Sequence, residues 1–148
     1  MKKTLVALSL GTLIGLSPAT NAACPKATIR GQFAGNGAIA SASFGSPVTI
    51  FTLGRFVFDG TGGAKVVNGR AGAFGDNRTF TGNGTYSLNS ACVGVVNMKI
   101  NWNTGGSTNV RLDIIVSGKA ADPHINAFYS DRNGFPDTGT IVMERIGI

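Results

Sequence analysis

Residues 84–102 read GTYSLNSACVGVVNMKINW, and the segment from Val93 onward decides the fold. Val96, Met98, Ile100 and Trp102 recur at every second position, with Asn97, Lys99 and Asn101 between them. Successive side chains of a strand point to opposite faces, so this period describes a strand with one dry face and one wet face. Asn89-Ser90, just before it, suits the tight backbone of a hairpin turn. The next segment repeats the pattern, with Val110, Leu112, Ile114 and Val116 opposed to Arg111, Asp113 and Ser117. A sheet with one greasy face does not stay open in water, and beyond residue 22 no stretch has the apolar period of a covering helix. A sandwich or a sheet closed on itself remains. Consecutive hairpins favour closure, which also removes the unpaired edges that invite aggregation. The expected fold is therefore all-β, a small closed antiparallel up-and-down barrel of about eight strands.

The same punctuation extends along the chain. Turn-forming clusters at Gly35-Asn36-Gly37, Asp59-Gly60-Thr61-Gly62-Gly63, Asn103-Thr104-Gly105-Gly106 and Asp131-Arg132-Asn133-Gly134 separate short segments rich in Val, Ile, Thr, Phe and Tyr. Strands are expected over 27–34, 38–44, 49–58, 64–72, 78–88, 93–101, 109–118, 125–130 and 139–146. The segment 49–58 is apolar on both faces, with Ile50, Phe56 and Phe58 on one and Phe51, Leu53 and Val57 on the other. The preferred explanation is that the N-terminal part of the mature chain covers its outer side. The alternative is a surface for a partner, including a second copy of the chain in a homo-oligomer.

The N-terminus begins MKKTLVALSLGTLIGLSPATNAAC. Lys2 and Lys3, an apolar run over 5–16 and a small-residue site at Thr20-Asn21-Ala22 form the pattern of a secretory signal peptide, expected at 1–22. Its apolar core of about 12 residues is too short to cross a bilayer, which takes about 20. The mature part, 23–148, is sized for one barrel domain with no membrane span, secreted or periplasmic. A lipid anchor on Cys24 would call for an aliphatic residue at position 21, which is Asn21. Losing Lys2 and Lys3 lowers the formal charge from +6 to +4, and the remaining basic residues are scattered singly, which argues against a nucleic-acid stripe. The chain has two cysteines, Cys24 and Cys92, and export to an oxidising compartment leads us to expect them bonded. Closing a loop of about 69 residues would restrict the unfolded chain by about 4 kcal/mol on the chain-entropy estimate.

Three stretches carry a resemblance. They are Gly54-Arg55-Phe56-Val57-Phe58-Asp59-Gly60-Thr61-Gly62, then Gly84-Thr85-Tyr86-Ser87-Leu88-Asn89 with Ala91-Cys92-Val93-Gly94, and a closing Gly139-Thr140-Ile141-Val142-Met143-Glu144-Arg145. Over residues 50–146 this order resembles a group of small exported bacterial proteins with an F-D-G-x-G hairpin, a G-x-Y-x-x-N-x-x-C-x-G hairpin and a final G-T…R strand. Such proteins are similar to the allene oxide cyclase and dirigent barrel architecture, an eight-stranded antiparallel barrel with an internal cavity. The resemblance implies a fold and a cavity. No catalytic residue of the plant cyclases matches a motif here, and likeness of fold does not by itself transmit activity.

Motifs for other chemistry are weak. His124, the single histidine, sits in Asp122-Pro123-His124 without a second metal ligand or a G-x-S-x-G nucleophile, and reads as an exposed histidine near a turn. Asp131-x-Asn133-Gly134…Asp137 has oxygen ligands but no closing glutamate, so turn chemistry is preferred over calcium. Gly60-Thr61-Gly62-Gly63-Ala64-Lys65 is followed by the strand residues Val66-Val67 and not by the helix a phosphate loop needs. The sequons at Asn77 and Asn83 point to an exposed region. No metal, cofactor or catalytic residue is expected.

The constellation left is Phe56, Phe58, Tyr86, Met98, Trp102, Leu112, Ile114 and Tyr129. Converging inside a barrel, these residues either fill it or line a pocket for one small apolar ligand. Both readings stay open. In the pocket reading, the hydroxyls of Tyr86 and Tyr129 orient the ligand. A cyclase or isomerase of the allene oxide cyclase or dirigent kind is the alternative function. An outer-membrane barrel is a further one, although one Trp and two Tyr make sparse aromatic girdles.

Overall fold

The computed structural model describes residues 24–41, 48–73, 76–131 and 137–147. The expected signal peptide lies outside them, as do 132–136 of the acidic turn beyond Asp131. A short 3-10 helix, Lys26–Ile29, precedes eight strands: β1 Gly31–Ser41, β2 Val48–Phe58, β3 Gly63–Ala73, β4 Asp76–Leu88, β5 Val93–Trp102, β6 Ser107–Lys119, β7 Asp122–Asp131 and β8 Thr138–Gly147. Each pairs antiparallel with the next, and β8 pairs with β1, which closes the barrel. The alternation read in β5 and β6 holds: Val96, Met98, Ile100, Val110, Leu112, Ile114 and Val116 are buried inside, while Asn97, Lys99 and Asn101 face out.

Of the expected strands 27–34 and 38–44, residues 42–44 lie outside the described ones; over the rest, the 3-10 helix is followed by one unbroken strand to Ser41. Gly35-Asn36-Gly37 is not a turn; it pairs with Gly54-Leu53-Thr52 on one side and with Met143-Val142-Ile141 on the other. A side chain at Gly35 would fall within 2.5 Å of the Phe56 ring, so this glycine makes room for an aromatic inside a central strand rather than bending the chain. The Asp59 hairpin matches its reading. The Asp59 carboxylate accepts backbone N–H groups from Thr61, Gly62 and Gly63 at 2.7, 2.9 and 2.9 Å, and Gly60 supplies a φ of 85°.

Cys24 and Cys92 are bonded, with Cα atoms 5.1 Å apart. The bridge ties the segment 24–30 to the β4–β5 turn, at the end of the barrel where β2–β3 and β6–β7 also turn. This corrects the expectation that the segment covers the outer side of β2. Residues 24–30 cap one end, and Phe51 and Leu53 are left 68% and 55% exposed on the wall.

Candidate functional site

The barrel interior divides into two halves. In the half under the 3-10 helix, Ile29, Phe33, Phe58, Val96, Ile114, Ile125 and Met143 have almost no exposed surface. Phe58 stands edge-on between Phe33 and Tyr86, with ring centroids 5.6 and 5.2 Å away. Such edge-to-face pairs add about 0.5 to 1.5 kcal/mol beyond the area they bury.

Polar groups fasten the cap. The Tyr86 hydroxyl donates to the Lys26 carbonyl at 3.0 Å, and Lys26 Nζ donates to the Thr61 carbonyl at 3.3 Å. Arg145 lies over the Phe33 ring at 5.5 Å and donates to the carbonyls of Arg30, Thr28 and Ala121 at 2.7, 3.2 and 3.4 Å. Burial, and then the nearby Asp59 carboxylate, push the Tyr86 phenol above its ordinary range. Three backbone N–H groups hold Asp59 well below the usual carboxylate range.

Beyond Phe56 the interior is hollow. A cavity of about 400 Å³ is walled by Ile39, Ile50, Met98, Ile100, Leu112 and Ile141. That volume suits a small organic molecule. Short side chains at the inward positions Thr52, Ala71 and Thr108 contribute to it, in contrast to Phe33, Phe58 and Tyr86 of the filled half. Two aromatics are also drawn aside, Phe56 against Gly35 and Phe80 against Gly69.

Polar lining groups gather toward the end away from the cap. Thr52 donates to the Arg70 carbonyl at 3.3 Å, and the Trp102 indole N–H donates to Thr108 Oγ1 at 3.0 Å. Ser41, Ser107, Tyr129 and Asp137 complete the polar set among the described residues, and Ser41, Tyr129 and Asp137 each have an interaction partner. Phe80 stacks edge-on against Trp102 with centroids 5.2 Å apart. A hollow of about 290 Å³, lined by Val48, Ala73 and Arg78, adjoins the cavity and shares Ile50, Ala71 and Trp102 with it.

The eight residues singled out from sequence separate between the halves. Phe56, Met98, Trp102, Leu112 and Tyr129 line the cavity; Phe58, Tyr86 and Ile114 belong to the packed half. The Tyr86 hydroxyl therefore holds the cap, while Tyr129 is a lining residue of the cavity. Lining residues not singled out include Ile39, Ser41, Thr52, Phe80 and Asp137. Thr52 shares strand parity with Ile50 and Phe56, which was the available signal; nothing in the sequence near Ser41 or Asp137 marks them.

His124 is exposed near the start of β7, 3.9 Å from Asp122. Among the described residues, no three of His, Cys, Asp and Glu are grouped to hold a metal ion. Asp137 is the single carboxylate among the described lining residues. Comparison with protein families, curated proteins and solved structures finds no match to the chain.

Proposed function

We propose that this protein is an exported, non-enzymatic barrel that binds a small apolar molecule in its hollow half. The observation that carries the reading is the unequal filling of one interior. Burying a large apolar side chain contributes about 1.5 to 3 kcal/mol. A barrel with no use for internal space gains by filling it, and this chain fills one half to near-zero exposure while leaving about 400 Å³ beside it. The disulfide and the signal-like N-terminus support export.

The outer wall supports a barrel that stands in water. Lys65, Asn83, Asn97, Lys99 and Asn101 are exposed across β3 to β5, and Val66, Tyr86, Val96, Met98 and Ile100 of these strands are buried inside, with Val93 the one large apolar side chain exposed among their described residues. A lipid-embedded barrel needs the reverse. The resemblance to allene oxide cyclase and dirigent barrels fits the same cavity and keeps a cyclase or isomerase as the rival. That rival has weaker support: the polar lining groups sit toward one end, Thr52 and Trp102 among them are engaged in hydrogen bonds, and Asp137 is the one carboxylate among the described lining residues.

The test is titration of the mature protein with N-phenyl-1-naphthylamine, a neutral apolar fluorophore. The probe should bind, and because Trp102 is the single tryptophan its emission should report occupancy. Ala71→Phe, which fills the cavity from β3, should abolish binding while the fold persists by circular dichroism. Binding that survives this substitution, or no binding to the parent, contradicts the proposal.

A further inference from the structure

Exposed large apolar side chains occur on the outer wall at the paired Val93 and Ile115 of β5 and β6, and, apart from the cavity and more extensively, on the side formed by β7, β8, β1 and β2. Glu144 of β8, Ala34 of β1 and Arg55 of β2 stand at one level of the sheet; Val142, Asn36 and Leu53 form the next, and Thr140, Ala38 and Phe51 the third. Phe128 of β7 continues the third level beside Thr140. Phe51, Leu53, Phe128 and Val142 are all exposed. Between them β1 presents Ala34, Asn36 and Ala38.

The two edges of this face carry opposite charge. Arg55 and Glu144 are exposed, and neither has an ion pair among the described residues. They lie two strand spacings apart, about 10 Å.

We propose that this face joins two copies of the chain about a two-fold axis running along the outside of β1. Such an axis lays β2 of one copy over β8 of the other without changing level. Arg55 then meets Glu144 of the partner subunit, Leu53 meets Val142 of the partner subunit, and Phe51 meets Thr140 of the partner subunit, each contact occurring twice. Ala34 and Ala38, with their single methyl groups, add little bulk between the facing strands. An axis perpendicular to the strands would set each strand against its own copy with levels reversed, and Arg55 would not meet an opposite charge. The charge pattern thus selects one symmetry operator, and a two-fold interface must be complementary to itself in this way. Matched charge across an interface fixes register and excludes wrong pairings.

Sedimentation of the mature protein should show a dimer. Arg55→Glu and Glu144→Arg, each alone, place like charges at both contacts and should raise the dissociation constant about ten-fold or more. Mixed in equal amounts, the two variants present opposite charges at both contacts, and a heterodimer of near-parental affinity should form. Unchanged circular dichroism and melting would show that each variant folds, and restoration on mixing cannot come from misfolded chains. A monomeric parent, a dimer indifferent to both substitutions, or a mixture that stays monomeric would overturn the proposal. A monomer that floats with phospholipid vesicles would assign the face to lipid, and would overturn it as well.

Discussion

The two halves of this barrel are built from the same strands yet differ in almost every physical respect. Near the cap, large side chains interlock, a disulfide ties the segment 24–30 to the β4–β5 turn, and Tyr86 and Arg145 fasten it by hydrogen bonds to backbone carbonyls. Beyond Phe56, short inward side chains at Thr52, Ala71 and Thr108 stand among larger ones such as Phe80, Trp102 and Tyr129, and a cavity remains between them. An up-and-down barrel lets one half supply stability for the other, because every strand runs through both. The filled half supports the hollow one.

The disulfide is the strongest single tie of the capped half. Replacing Cys24 and Cys92 together by Ser should lower the unfolding free energy by about 4 kcal/mol, read from urea denaturation of parent and variant. A loss of only a few tenths would mean that the cap is held by its hydrogen bonds and packing instead.

A matched pair of methionines sharpens the contrast. Met143 is fully buried in the filled half, whereas Met98 borders the cavity. Met143→Ala should cost about 3 kcal/mol and leave probe binding intact, and Met98→Ala should cost about 2 kcal/mol or less and change probe affinity. Equal losses from the two, with equal effects on binding, would remove the distinction between halves.

The smallest expected effect is a pH dependence confined to the capped end. The Asp59 carboxylate titrates below its unfolded value, near 3.9, because its charged form accepts three N–H bonds. A depressed carboxylate pKa contributes stability that is present above the unfolded value and is lost as pH falls through the folded one. Between neutral pH and about 4 this contribution should be constant, and it should decline below that. Asp59→Asn should flatten the acid limb of the melting-temperature profile. An unaltered acid limb would exclude the Asp59 turn as its origin.

Much of the fold was legible because its determinants are local. The period of two in Val96-Met98-Ile100-Trp102 and the turn chemistry at Asp59 and Asn89 need no knowledge of distant residues, and closure follows from the greasy face they create. Non-local causes hid the rest. Gly35-Asn36-Gly37 reads as a turn until the Phe56 ring, on another strand, is known to need the space. Residues 27–29 read as strand, but Ile29 is buried as part of a cap secured through Cys92, Tyr86 and Arg145. The set from Phe56 to Tyr129 lies in or against the core, and its division between packed half and cavity depends on how far along the barrel each strand carries its residue. That distance is fixed by register and not by sequence spacing. The exposed Phe51 and Leu53 were seen in the sequence, but the cover first expected for them caps the end of the barrel instead.

The central claim, one interior half filled and half hollow, is tested most directly by crystallography of the mature protein under xenon. Xenon enters dry apolar cavities and is visible by its scattering. Its density should appear among Met98, Leu112 and Ile141 and nowhere around Phe58, Ile114 and Met143. No xenon in the first region, with side chains packed across it, or xenon in both regions, would contradict the account.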